Sequence, residues 1–181
     1  MAALVFRRAT IDDTRAIAEL HARSWQQNYR GAFSDTYLDD EALADRMKVW
    51  ADRLGHPAVH QLVYVAEFEK CVVGFICAFF KDDVQYGTLV DNLHVSSEMK
   101  GKGIGKQLMN LIANEIKRGQ HEQGMYLWVL EQNSGAHRFY TALGGEKKET
   151  VPGHDIGDRS VMKVRYYWSS MEKLLSKTTL T

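Results

Sequence analysis

Apolar residues recur along the chain with two alternating periods. Near the amino end, Phe6 to Thr10 reads as a short strand, and Asp13 three residues after Thr10 predicts a helix start of the capping-box type. Ala16, Ile17, Leu20, Ser24 and Trp25 then follow helical spacing. From Asn28 to Tyr37 aromatics mix with turn formers, which predicts a loop. A second helix should bury Leu43, Met47, Trp50 and Leu54 and stop at Gly55-His56-Pro57. Leu62 to Phe68 and Val72 to Phe80, rich in Val, Phe and Tyr, predict an antiparallel hairpin around Glu69-Lys70-Cys71, and Val84 to Val95 continues the sheet. After Gly103 the period changes: Ile104, Leu108, Leu111, Ile112 and Ile116 form a helical stripe that ends near Gly119. Met125 to Leu130 reads as a buried strand, Ser134 to Leu143 as a helix stopped by Gly144-Gly145, and Ser160 to Trp168 as a last strand. The class is mixed α/β. No repeat or linker divides the series, so residues 1–168 read as one domain; the tail 169–181 reads either as a short amphipathic helix or as a frayed end.

Composition narrows the classes. The 181 residues are 45% hydrophobic and 25% charged, enough for a packed core without disulfides or a structural metal. The 23 basic and 23 acidic residues balance, so neither nucleic acid nor an anionic membrane is an expected partner. No signal peptide is read after Met1 and no apolar run nears the ~18 residues of a membrane span, so the expected location is the cytoplasm. Cys71 and Cys77 lie in one strand-like run, too far apart to bridge, and both are expected to be buried, reduced thiols. The histidines show no C-x-x-C or H-E-x-x-H spacing, so no metal is expected.

The segment from Leu93 through Val95 to Lys100-Gly101-Lys102-Gly103-Ile104-Gly105-Lys106 is a strand that runs through a glycine-rich loop into a helix. Glycines let successive amides turn toward one point, and a helix N-terminus adds partial positive charge, so this arrangement favours a pyrophosphate. Lys100, Lys102 and Lys106 add charge. The spacing is not that of a P-loop: only three residues separate Gly101 from Gly105, and Gln107 follows Lys106 where Ser or Thr is needed. Nor is it a dinucleotide fingerprint, which would place glycine at 106 after a βαβ start.

What the segment resembles is the acetyl-CoA signature of the GNAT superfamily of N-acetyltransferases, Arg or Gln, two residues, Gly, one residue, Gly or Ala. Lys100, Gly103 and Gly105 occupy those positions, with Lys in place of the usual first residue. Asn133, Ala136, Tyr140 and Gly144 match a later block of the same family. The resemblance implies a mixed, mainly antiparallel sheet of about seven strands, flanked by about four helices and splayed at its centre. It implies acetyl-CoA as cosubstrate, with Leu93, His94 and Val95 along the pantetheine arm, the amides from Lys100 to Lys106 on the pyrophosphate, and Asn133, Ala136 and Tyr140 meeting the coenzyme from the other side.

The resemblance makes Tyr140 the acid that protonates the departing sulfur. An attacking amine must be neutral, whereas an alkylammonium has a pKa of about 10.4, so a proton acceptor is also wanted. Many relatives place Glu where this chain has Leu89; Asp91, two residues on and on the same face by strand alternation, is the candidate base or water-relay acid. Unbroken alternation would turn His94 to the opposite side. Glu131, after the fifth strand, is a lesser candidate. In relatives the acceptor meets the first two helices and the last loop, which here hold Trp25, Tyr29, Phe33 and Tyr37 with Asp35, Asp39, Asp40 and Glu41, and later Val151 to Asp158 with His154 and Asp155. Such aromatic walls with carboxylates suit a small cationic amine, with Trp25, Tyr29, Phe33 and Asp91 as contacts; alternatively the aromatics are core and the acids dress a helix start. The expected activity is direct acetyl transfer to a primary amine of a small molecule. The alternatives are a coenzyme-binding sensor without turnover, acetylation of a protein amine, or a phosphate binder unrelated to coenzyme A. Tyr166-Tyr167-Trp168 offers apolar surface for a homodimer, or is core.

Overall fold

The fold is described from a computed structural model, for residues 3–119, 124–154 and 157–179. The strands are β1 (Leu4–Arg8), β2 (Gln61–Phe68), β3 (Cys71–Asp83), β4 (Gly87–Val95), β5 (Met125–Leu130), β6 (Glu146–Gly153) and β7 (Val161–Trp168). The helices are α1 (Thr14–Asn28), α2 (Ala42–Gly55), α3 (Ile104–Arg118), α4 (Ser134–Ala142) and α5 (Met171–Thr178). The strands form one sheet in the order β1-β2-β3-β4-β5-β7-β6, antiparallel except where β4 and β5 run parallel. A parallel neighbour needs a crossover, and α3 supplies it.

One face carries a core of Ile76, Ile104, Leu108, Ile112, Ile116, Leu127 and Tyr140, so the stripe read in α3 is the packed one. The other face is covered by α1 and α2, where Ile17, Leu20 and Trp50 pack on Val65, Phe75 and Cys77. The capping box is present: the Thr10 N–H donates to Asp13 Oδ2 at 2.8 Å.

Several elements differ from the sequence expectation. β1 runs from Leu4, two residues before the strand read at Phe6. β3 extends to Asp83 and turns through Val84, which is 95% exposed, so Val84 tips a hairpin instead of opening β4. The loop read from Asn28 to Tyr37 ends sooner, because Tyr37–Glu41 forms a wide π-helical turn before α2. Gln26 Nε2 donates to the Leu38 carbonyl at 2.9 Å within that turn. The wide turn shifts the phase of the helix, so Leu38 and Ala42 are buried while Leu43 is 45% exposed. Cys71 is exposed, since it opens β3 directly after the Glu69-Lys70 turn; Cys77 is buried, which pushes its thiol up to about 12. β6 had no signature in the apolar pattern, because six of its eight residues are exposed on an edge strand.

Within the tail, Met171–Thr178 is a docked helix. Ser170 Oγ accepts from the Lys173 N–H at 3.3 Å, Leu174 is fully buried in the α3-side core, and Asn110 Nδ2 of α3 donates to Thr178 Oγ1 at 2.9 Å. Tyr166 and Trp168 are buried in the same core, so two of the three residues read as dimer surface do not offer one.

Truncating Leu174 to Ala should cost about 2–5 kcal/mol, the usual range for a fully buried leucine. Urea unfolding measures it, and a loss below about 1 kcal/mol would mean that the tail does not share the core.

Candidate functional site

The parallel pair β4–β5 is joined at only two positions, Thr88 with Met125 and Leu89 with Tyr126. Beyond them β4 stays bonded to β3 as far as Val95, and β5 stays bonded to β7 as far as Leu130. The two strands therefore diverge, and the backbone from Val90 to Val95 on its β5 side has no ladder partner in the described sheet. Into this splay opens a cleft of about 970 Å³, within the size range of small-molecule sites.

At its wide end lies the glycine-rich loop. Gly101 and Gly103 both take φ of +79°, a conformation that favours glycine, and Gly103 caps α3. The first helical bond there runs from the Gln107 N–H to Gly103 O at 3.0 Å, so the amides of Gly103 to Lys106 precede it and have no helical acceptor. Gly105 lies beneath α4: a Cβ there would stand 3.1 Å from Phe139 Cζ, so a larger residue would push α3 and α4 apart. All seven residues from Lys100 to Lys106 line the cleft.

Asn133 follows β5 and caps α4, its Oδ1 accepting from the Ala136 N–H at 3.1 Å, which commits that oxygen and leaves the amide Nδ2 for other partners. About two turns on, Tyr140 is packed edge-on against Phe139 and Trp168 and lines the cleft. Burial pushes its phenol above the ordinary tyrosine range, and Tyr29, from the end of α1, adds to the shift. Tyr29 also lines the cleft, with burial raising it to about 12. Both hydroxyls thus stay protonated at neutral pH.

On the α1/α2 side, β4 carries a bulge. Cys77 pairs with Asn92 while Ala78 pairs with Val90, so Asp91 is the extra residue. Alternation is broken there: Val90 and Leu93, three apart, both join the α3-side core, and His94 packs with Phe75 and His21 under α1 and α2. His94 therefore shares the face of Leu89, whose strand partner Phe79 packs there too, and the expectation that it turns away is corrected. Asp91 lines the cleft but is not solitary. Arg53 Nη1 of α2 donates to Asp91 Oδ2 at 2.7 Å and to Asn92 Oδ1 at 2.8 Å.

Trp25, Tyr29 and Phe33 line the same cleft, with Trp25 and Phe33 nearly fully buried. Tyr37 is buried behind them and donates to Asp45. The acids near them face elsewhere: Arg30 binds Asp35 at 2.7 Å and also Asp39, and Asp40 and Glu41 are exposed on the helix start. Arg46 lies over the Trp25 ring at 4.4 Å, so one aromatic face already holds a cation. Asp91 is the one carboxylate among the described residues lining this cleft. Glu131 lines a separate surface depression with His137 and Lys147. His154 is exposed, Asp155 lies outside the described residues, and Asp158 Oδ1 accepts from the Ser34 N–H at 3.0 Å, tying the last loop to the one bearing Phe33. Sequence reading gave no role in the site to Arg53, or to Ser24, which also lines the cleft, because neither carries a motif.

Comparison with known proteins agrees with this geometry. Residues 15–144 match the Acetyltransferase (GNAT) family. An uncharacterised N-acetyltransferase of Methanocaldococcus jannaschii is 28% identical over 151 residues, a match that spans 81% of this chain and 62% of the relative. The fold is similar to the PaiA N-acetyltransferase of Thermoplasma acidophilum, solved in complex with coenzyme A, with a TM-score of 0.71 at 20% identity over 92% of this chain and 99% of that one. It is also similar to YncA of Salmonella typhimurium, solved with its cofactor acetyl-CoA, with a TM-score of 0.64 at 19% identity over 93% and 95% of the two chains. Among the described residues no helix is long and apolar enough to cross a membrane.

Burial holds the imidazoles of His21 and His94 neutral, His21 well below the ordinary histidine range and His94 down to about 3. The unfolded chain protonates both near pH 6.5 while the folded chain does not, so stability is full above that pH and falls below it. Between pH 7 and 5 the loss should be about 2 kcal/mol per histidine. Denaturant midpoints across that range check it, with His94→Gln removing about half of the slope; a flat profile would contradict the assignment.

Proposed function

The chain belongs to the Acetyltransferase (GNAT) family, and from that premise we propose that it moves an acetyl group from acetyl-CoA to a primary amine of a small molecule by direct transfer. The observation that carries the proposal is the splay, which leaves one edge of β4 unpaired beside a loop whose amides converge at the N-terminus of α3. The residues fit the coenzyme by their own chemistry. Leu93 and Val95 offer backbone groups for an amide-bearing arm, and the free amides of Gly103 to Lys106, with Lys100 and Lys102 beside them, suit a pyrophosphate. Bound there, acetyl-CoA supplies the activated acyl group.

The protein's part is positioning and proton management. Tyr140 holds a proton at its hydroxyl at the working pH and donates toward the leaving sulfur. Asn133 fixes the start of α4 and so the height of Tyr140 in the cleft. Trp25, Tyr29 and Phe33 exclude water from the acceptor end. Asp91, anchored by Arg53, is the carboxylate available to an incoming ammonium. Because Asp35 and Asp39 are taken up by Arg30, a mono-amine fits this end better than a polycation. Leu89 at the usual base position favours a second reading, a coenzyme-binding protein without turnover.

Release of free coenzyme A thiol from acetyl-CoA across a panel of small amines separates the two readings. Acetyl transfer requires acceptor-dependent release that falls about 100-fold in Tyr140→Phe while coenzyme affinity persists. Tight coenzyme binding with no release from any amine, or from an acceptor peptide, would favour the binding protein.

A further inference from the structure

Of the side chains that line the cleft, the lysines are donors, and the buried phenols of Tyr29 and Tyr140 keep their protons. Two groups among the described residues can take up a proton there: the Asp91 carboxylate and the His94 imidazole. Protonating Asp91 would break its contact with Arg53 at 2.7 Å, and Arg53 also stacks on Trp50 and Phe79, so it is held in place. His94 is bound otherwise. The bulge at Asp91 turns it to the acceptor face, where its Nδ1 lies 2.8 Å from Ser24 Oγ of α1. Behind it, the Trp50 indole N–H donates to His21 Nδ1 at 3.0 Å, which puts the His21 proton on Nε2. The His21 and His94 rings stand 4.4 Å apart. That His21 Nε2 is buried with no partner among the described residues, so the pair carries unspent hydrogen-bonding capacity beneath the acceptor end.

We propose that His94, oriented by Ser24, receives the proton of the acceptor amine in the transfer reaction. The proposal rests on the acetyl transfer proposed above. In the step, an amine that has already lost its ammonium proton to solvent bonds through nitrogen to the acetyl carbon, the carbon–sulfur bond breaks, the sulfur takes the Tyr140 proton, and the nitrogen gives one of its two remaining protons to His94. Solvent then restores Tyr140 and relieves His94, with one proton released per turnover of a cationic amine.

The surroundings also make His94 responsive to the coenzyme. Burial first, then Arg46 of α2 and Lys100 of the glycine loop, disfavour its charged form; His21 and Ser24 face it from α1, and Phe75 from β3. A pyrophosphate beside Lys100 offsets one of those two positive charges, so His94 becomes more basic when the cradle is filled.

Two measurements test this. Steady-state rates of His94→Gln should show kcat reduced about 100-fold at neutral pH, with coenzyme affinity unchanged and the deficit shrinking at high pH, where hydroxide takes the proton that the nitrogen gives up. Ser24→Ala should lower kcat in the same direction with less effect on acceptor KM. A defect of folding would not recover with pH. Independently, NMR titration of the His94 ring should move to higher pH when desulfo-coenzyme A is added. Wild-type turnover with an unchanged pH profile in His94→Gln, or a His94 titration insensitive to the coenzyme analogue, would overturn the proposal and leave acetyl transfer standing. A wild-type chain that releases no thiol with any amine would overturn acetyl transfer and this role together.

Discussion

β4 and β5 run parallel and share hydrogen bonds at one end only, and the rest of the molecule is arranged around that partial pairing. Each strand is secured on its far side, β4 by β3 and β5 by β7, so the gap costs the sheet little order. A parallel pair cannot be closed by a hairpin, and the required crossover is α3, whose N-terminus therefore arises beside the open end of β4. The chain leaves β5 in the same direction into α4, which brings Asn133 and Tyr140 to the opposite lip. Unpaired backbone, converging amides and a protonated phenol share one cleft because of a single topological feature.

The acceptor side depends on two irregularities, one in a strand and one in a helix. The extra residue at Asp91 puts Leu89, Asn92 and His94 on the α1/α2 face, although an unbroken strand would have divided them. The wide turn at Tyr37–Glu41 lets Leu38 and Ala42 close the aromatic cluster behind Trp25 and Phe33. Two arginines of α2 then govern the charge: Arg46 covers Trp25, and Arg53 holds Asp91 and Asn92. Both favour a neutral His21, and Arg46 also a neutral His94, in addition to burial. Bulges and π-helical turns are common next to functional sites because they re-aim side chains without altering the surrounding fold.

Elements whose side chains face one core were legible in the sequence. The α3 stripe, the β2–β3 hairpin and the glycine loop each have a period or a residue type imposed by packing or backbone geometry. β6 was not legible: the run Glu146-Lys147-Lys148-Glu149 faces solvent, and an edge strand needs no apolar alternation. The bulge at Asp91 was invisible for a different reason, since one inserted residue changes which face every later side chain takes without changing composition. That one residue explains why the sequence set His94 aside. The acids at 35 and 39 suggested a cationic pocket by proximity in sequence, but their partner, Arg30, could be recognised only in three dimensions.

The central claim, that the β4–β5 splay is the coenzyme site, is tested most directly by amide hydrogen exchange with and without coenzyme A. The account predicts slower exchange at Leu93, Val95 and the amides from Gly103 to Lys106, where backbone groups lack partners, with little change across β1 and β2. Protection confined to other segments, or no protection at saturating coenzyme, would contradict it.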